Sequence, residues 1–147
     1  MRSATLQRAR IAARRFTVEL PMPLSVNNLY INNPKTRGRF PSPEYKDWKK
    51  DAAKMLAAQR ARCAVGPVEI AITVQESRGD IDNRIKCVLD CLVENGIIDG
   101  DTAKTVRKVT AQWGDVKGAI VEITPPLGAE TAMQDARRPR VEGGRDL

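Results

Sequence analysis

The sequence predicts an α+β fold, in which a small mixed β-sheet carries two main helices. Four short segments alternate apolar and polar residues, which is typical of strands with one buried face. Two longer segments repeat apolar residues at helical spacing and separate those strands. The chain has 147 residues, of which 41% are hydrophobic, so it is long enough to build one such domain around a core.

The elements are expected in the order strand, loop, helix, strand, helix, strand, strand. The first strand is predicted over residues 16–20, where every second residue is apolar before two prolines end it. A long irregular loop follows over residues 25–43, because its asparagines and prolines fit no regular period. Ser42 and Pro43 then open a helix that should end near Arg62.

The second half of the domain is expected to hold a buried strand, the second helix and a hairpin. Every second residue of 68–74 is aliphatic, which indicates one face on a core. The helix that follows should end at Gly96, which stands where a C′ glycine is expected. Residues 109–113 and 119–123 alternate again around a GDVKG turn, and this pattern predicts a hairpin.

The folded domain is assigned to residues 15–126, and composition changes at both of its ends. Residues 1–14 form an Arg-rich leader that is expected to be disordered; its composition resembles a transit peptide, and a basic arm or a misassigned start codon explains it equally well. Residues 127–147 contain few large apolar side chains and are expected to form a disordered tail. The apolar runs are too short to span a membrane, which favours a cytoplasmic protein.

The charge balance and the missing histidine limit the chemistry. Lys and Arg number 25 against 18 Asp and Glu, and the resulting charge of +7 favours partners that carry phosphate. Because the chain has no histidine, catalytic triads and imidazole acid–base catalysis are excluded. Cys63, Cys87 and Cys91 are expected to be free thiols in a reducing compartment, since zinc would need a further ligand.

Acidic residues gather around the second helix. Asp80 and Asp82 stand where the backbone leaves a strand, so both carboxylates can lean to one side, and the helix N-terminus favours their charged forms. Asp99 and Asp101 follow the helix and are expected to return toward the same strand ends. Three carboxylates beside Lys86 would suit metal-assisted phosphodiester hydrolysis. Helix capping, an Asp–Lys–Asp ladder and a turn explain these residues without a metal.

The segment from Gly79 to Asp101, GDIDNRIKCVLDCLVENGIIDGD, resembles the RusA family of Holliday junction resolvases in its D-x-D-N-x-x-K motif, helix, glycine and acidic pair. The family's upstream pattern P-x-P-x-S-x-N-x-x-Y is matched by Pro21, Pro23, Ser25, Asn27 and Tyr30. The resemblance covers roughly residues 15–125. It implies a metal-dependent endodeoxyribonuclease that resolves four-way junctions by paired symmetric cuts in DNA recombination and repair.

Carried over residue by residue, the resemblance implies four catalytic residues, which are Asp80, Asp82, Lys86 and Asp101. The three acids would hold the metal, expected to be Mg²⁺ with Mn²⁺ as the alternative, and Lys86 would assist at the scissile phosphate. The family usually has adjacent acids at the third position, whereas Gly100 separates them here. Asp101 is preferred and Asp99 is the reserve, while Asn83 is expected to orient a ligand or cap the helix.

The resemblance also implies that the basic loop contacts DNA. The residues assigned to nucleic-acid binding are Asn27, Lys35, Arg37 and Arg39. For Asn27, ordering the loop is an equal alternative. Lys46, Lys50 and Lys54 on the first helix fit a phosphate contact and a solvated face equally. The expected partners are branched DNA and a second copy of the chain, since the family is homodimeric.

Two other classes of function stay open at this point. A non-catalytic branched-DNA-binding protein would explain the charge without the acids, and it predicts undiminished binding when Asp82 becomes Asn. A metal-dependent hydrolase of small phosphorylated molecules would need a closed pocket rather than a basic loop. That hydrolase would act on a nucleotide in the absence of DNA.

Overall fold

The computed structural model describes residues 15–125 and confirms the predicted α+β fold, with two helices and a mixed sheet. The leader and the tail lie outside the described residues, so the disorder expected of them stays a prediction. The helices are α1 (Pro43–Ala58) and α2 (Asp82–Glu94). The strands are β1 (Phe16–Leu20), β2 (Tyr30–Asn32), β3 (Arg39–Pro41), β4 (Val68–Gln75), β5 (Val106–Gly114) and β6 (Ala119–Thr124).

Four of the strands form the main sheet, in the order β1-β6-β4-β5. β6 is antiparallel to both of its neighbours, whereas β4 and β5 are parallel. Alternate residues of β1, β4 and β6 are buried, and the buried faces of both helices join them in one core. Since β4 and β5 are parallel neighbours joined through α2, these three elements make a β-α-β crossover.

The predicted hairpin of the last two strands is wrong. β5 and β6 lie on opposite sides of β4, because Ile72 pairs with Ala111 of β5 and with Val121 of β6. β4 buries four aliphatic residues and takes the central position, while the polar residues of β5 are exposed and suit an edge. Alternation shows that a segment is a strand, but it does not show which strand lies beside it.

The segment predicted as one irregular loop contains local structure. A short 3-10 turn, Val26–Asn28, precedes a second small sheet in which β2 and β3 pair antiparallel. We call residues 30–41, which contain this pair and its turn, the basic hairpin. The Asn33 N–H closes the turn with a 2.8 Å hydrogen bond to the carbonyl of Gly38. Strands of three residues are too short to show a period in sequence.

The first helix begins as predicted and ends earlier than predicted. The Ser42 hydroxyl accepts a hydrogen bond from the Tyr45 N–H at 3.1 Å, which confirms the N-cap. The helix ends at Ala58 rather than near Arg62. Arg60 has a φ of 50°, which an α-helix does not continue through, and the side-chain amide of Gln59 bonds both the N–H and the carbonyl of Glu19 on the edge strand β1, each at 2.8 Å.

The second helix confirms the predictions made for its thiols and its end. Cys87 and Cys91 are buried and free, and burial raises the pKa of each thiol to about 12. Gly96 follows the helix with a φ of 70°, as a C′ glycine does. No helix in the described part of the chain is long and apolar enough to cross a membrane.

Candidate active site

The first two predicted acids lie together at the start of α2. Asp80 belongs to the loop that leaves β4, and Asp82 is the first residue of the helix. Both residues are exposed, and no side chain caps the helix N-terminus. Within residues 15–125 neither carboxylate forms an ion pair. Two carboxylate oxygen donors therefore face solvent at this end of α2.

Arg84 holds the loop that carries these acids. Its guanidinium donates to the carbonyl of Pro23 at 2.7 Å and to the carbonyl of Arg78 at 3.2 Å. Its Nε is buried without a hydrogen-bond partner among the described residues. Arg84 therefore ties the acidic loop to the proline-containing segment near the start of the domain.

The same proline-containing segment is held from α1. The Trp48 indole N–H donates to the carbonyl of Met22 at 2.8 Å, and the Ser42 hydroxyl donates to the carbonyl of Asn28 at 2.7 Å. Backbone N–H and C=O groups of an irregular segment need hydrogen-bond partners of this kind when they are removed from water. Side chains of both helices thus fix residues 21–29 beside the start of α2, where the 3-10 turn contacts that helix.

Lys86 lies one helical turn beyond Asp82 and pairs with Asp90. The Lys86 ammonium is 3.2 Å from an Asp90 carboxylate oxygen, in the predicted i,i+4 arrangement. This hydrogen bond and charge raise the pKa of Lys86, with smaller contributions from Tyr30 and Asp101. Lys86 is half exposed, so it presents a permanent positive charge to solvent.

The two candidates for the third acid differ in their surroundings. The Asp99 carboxylate accepts a 2.8 Å hydrogen bond from the Gly66 N–H, so it fixes the connection that leads into β4. Asp101 is exposed, and its charge acts on Lys86. The structure therefore gives Asp99 a structural partner and leaves Asp101 as the candidate beside the lysine.

The expected antiparallel return of the chain toward Asp80 does not occur. Because β4 and β5 are parallel, Asp101 lies on the loop that enters the sheet where β4 begins, whereas Asp80 follows the end of β4. The eight residues of β4 span about 25 Å. Lys86, partway along α2, lies between the acid pair and Asp101.

The described residues offer donors that fit Mg²⁺ in kind. Within 15–125, no three Asp, Glu, Cys or His side chains lie close enough together to hold a metal ion. Mg²⁺, however, is usually bound through one or two carboxylates, with waters and substrate phosphates as its other ligands. The exposed, unpaired carboxylates of Asp80 and Asp82 match that requirement, and the buried thiols of α2 are not available to a metal.

The predicted DNA contacts lie in and beside the basic hairpin. Lys35, Arg37 and Arg39 are exposed, and the Arg39 guanidinium lies 5.4 Å from the centroid of the Tyr30 ring. Asn27 is exposed and lines a cleft of about 310 Å³ with Tyr30 and neighbouring residues. Three exposed lysines form the predicted stripe of α1, and they are Lys46, Lys50 and Lys54.

Sequence reasoning missed how Arg84 and Tyr30 serve the site. Arg84 occupies a variable position of the D-x-D-N-x-x-K pattern, so the motif gave it no weight. Tyr30 is a motif residue, but its electrostatic effect on Lys86 depends on the tethering of the preceding segment. An arginine that follows two closely spaced acids was the available signal for the first.

The model of the family described as Endodeoxyribonuclease RusA matches residues 21–124. The matched range includes the tethered segment, the basic hairpin, the acid pair, Lys86 and Asp101. No protein of curated function matches the chain.

Proposed function

We propose that this chain, which belongs to the endodeoxyribonuclease RusA family, is a Mg²⁺-dependent endonuclease that resolves four-way DNA junctions by paired symmetric cuts. The observation that carries the proposal is the exposed acid pair, Asp80 and Asp82, fixed beside a positively charged Lys86 within the matched range. The basic hairpin next to it supplies the charge that a phosphate backbone requires. We expect the protein to act in the cytoplasm, on bacterial or phage DNA.

In this proposal the acid pair holds the metal. When bound, Mg²⁺ polarises the scissile phosphate and lowers the pKa of an attacking water. Asp80 and Asp82 supply oxygen ligands, and the Arg84 clamp keeps their loop in one position. Asp101 is proposed as the third acid of the site through its charge on Lys86 and not as a ligand of the same metal, since the length of β4 separates it from the acid pair within one chain.

Lys86 has a separate part in the proposed mechanism. Its raised pKa keeps the ammonium protonated at neutral pH, so it can neutralise charge that develops on the phosphate oxygens. Asp90 holds the lysine in place through their ion pair. Because an ammonium with a raised pKa is a weak acid at neutral pH, the role of Lys86 is electrostatic rather than acid–base.

Two copies of the chain would suit the substrate. A four-way junction contains two symmetric scissile strands, and a twofold dimer places one active site at each of them. We therefore include a homodimer in the proposal. Light scattering on the purified chain, with and without junction DNA, tests it through the measured mass.

The activity is tested by cleavage of a labelled synthetic four-way junction beside a linear duplex of matched sequence. Wild-type protein should place paired nicks in the junction with Mg²⁺, and chelator should abolish them. Asp82→Asn should lower the cleavage rate at least about a hundredfold yet bind the junction as tightly or more tightly, because one negative charge near the phosphates is gone.

A carboxylate on β4, the strand that precedes the acid pair, provides the control. Glu69 lies near the start of β4, away from the acid pair that follows its end, and Glu69→Gln should cut like the wild type. Tight junction binding without nicking in any metal would contradict the proposal and favour a non-catalytic binder. Hydrolysis of free nucleotides without DNA would favour the small-molecule hydrolase instead.

A further inference from the structure

Two large apolar side chains face solvent on the basic hairpin. Ile31 and Phe40 are 42% and 40% exposed, and they stand directly opposite each other in the register of β2 and β3. Cross-strand partners share one face of a strand pair, so the two side chains form a single apolar patch. Within the described residues, packing gives no reason for such an exposed apolar pair on a two-stranded hairpin.

The opposite face of the hairpin is anchored to the domain. Tyr30 alternates with Ile31 along β2 and therefore points the other way, where its ring meets the Tyr45 ring edge-on at 5.8 Å. Tyr45 is fully buried in the core. The anchor fixes the apolar pair on the outer face, and the 3-10 turn that contacts β2 also contacts the helix that carries Lys86.

The charge around the patch selects a polyanion as its partner. Residues 21–43 contain Lys35, Arg37 and Arg39 and no acidic residue. A second copy of the chain docked through this face would bring two such positive segments together, which charge repulsion disfavours. A partner that offers both phosphates and flat apolar surfaces fits the hairpin, and DNA with unstacked bases has both.

We propose that Ile31 and Phe40 form a wedge that packs against exposed bases at the branch point of DNA, while the three basic residues hold the flanking phosphates. Bases in continuous duplex are stacked and offer no such surface, so the wedge would favour branched DNA over linear duplex. This inference rests on the proposed function for its substrate class. It assigns the selectivity for structure to the hairpin rather than to the acids.

Binding tests the wedge separately from cutting. All proteins carry Asp82→Asn so that no DNA is cleaved, and affinities for a junction and a matched duplex are measured by fluorescence anisotropy at one fixed salt concentration. Phe40→Ala should weaken junction binding about tenfold, the order expected for one lost base contact, and leave duplex binding within about twofold. Phe40→Trp should retain junction binding.

The chain offers a matched control in Val65, which is 42% exposed and lies outside the hairpin. Val65→Ala should change neither affinity. A junction with 2-aminopurine at the branch point adds a direct readout, since its fluorescence should change with the parent protein and not with Phe40→Ala. Circular dichroism of each variant checks that the fold is retained.

Three results would overturn the wedge. The first is an equal affinity of Phe40→Ala and its parent for the junction, and the second is an equal loss of junction and duplex binding. The third is a lower mass of Phe40→Ala than of its parent in the absence of DNA, which would identify the patch as an interface between copies of the chain. The proposed function fails on a different result, which is the absence of metal-dependent cleavage by the wild type. Each idea can thus fail while the other stands.

Discussion

The carboxylate of Asp99 accepts a 2.8 Å hydrogen bond from the backbone N–H of Gly66 and so ties the end of one connection to the start of another. Gly66 lies two residues before β4, and Asp99 lies on the loop that leads toward β5. The bond therefore joins the entrances of two parallel neighbouring strands. Of the two acids on either side of Gly100, Asp99 therefore has a structural role, and Asp101 is left for the proposed site.

Substituting each of these acids should separate stability from activity. Asp99→Ala should lower the free energy of unfolding by about 1 kcal/mol, because the Gly66 N–H loses its partner, and should leave junction cleavage near the wild-type rate. Asp101→Asn should leave stability within about 0.5 kcal/mol and lower cleavage about tenfold, because its charge acts on Lys86. Urea unfolding and junction cleavage measure the two effects. The reversed pattern would move the third acid to Asp99.

Loss of the Arg84 clamp should slow cleavage without removing any proposed metal ligand. Arg84→Ala removes hydrogen bonds to the carbonyls of Pro23 and Arg78, so the acid loop loosens and kcat should fall about tenfold while KM changes little. Arg84→Lys should recover part of the rate, since lysine keeps the charge but not the planar fork. Arg15→Ala on the far edge of the sheet is the control. An unchanged kcat in Arg84→Ala would exclude the positioning role.

The buried thiols should make stability fall at alkaline pH. In the folded protein the pKa values of Cys87 and Cys91 are about 12, whereas in the unfolded chain they return to about 9. Above pH 9 the unfolded state therefore binds fewer protons, so the stabilisation is complete below pH 9 and is lost as pH rises toward 12. Urea unfolding should show a loss of about 3 kcal/mol for the two groups between pH 8 and 10.

Variants assign that alkaline loss to the correct thiols. Cys87→Ala should reduce the pH slope by about half, although its stability at pH 8 is lower because a cavity forms. Cys63→Ala should keep the full slope, since Cys63 is half-buried and outside α2. An unchanged slope in Cys87→Ala would show that other groups cause the loss.

Two glycines with positive φ should respond differently to alanine. Gly118 has a φ of 72°, and a Cβ there would collide with the backbone oxygen of Leu20. Gly66 has a φ of 83° and open space around the same position. Gly118→Ala should cost at least about 2 kcal/mol in urea unfolding, whereas Gly66→Ala should cost about 1 kcal/mol from backbone conformation alone. Equal losses would contradict the close approach at Gly118.

The local elements of the fold could be predicted from sequence because each depends on neighbours in the chain. The cap at Ser42, the alternation in β4 and the glycine after α2 are local signals, and the structure confirms them. The position of β5 is a relation between distant segments, since pairing depends on which edges of β4 are left free. Alternation carries no such information, and the hairpin prediction failed for that reason.

The candidate site divides in the same way. The acid pair was found because Asp80 and Asp82 are two residues apart, and Lys86 with Asp90 follows from helical spacing. The clamp from Arg84 to Pro23 joins residues 61 positions apart, so spacing alone does not reveal it. The place of Asp101 depends on whether the crossover is parallel, which the sequence pattern left undetermined.

The pairing of β1 with β6 has a consequence for how the chain folds as it is made. Phe16 pairs with Ile123, so β1 has no pairing partner until β6 is synthesised roughly a hundred residues later. During that time the edges of both β1 and β4 stay open to other chains, and contacts this distant in sequence slow folding. A nascent chain that stops before residue 119 therefore exposes two unpaired edges, and completion of β6 closes both in a single step.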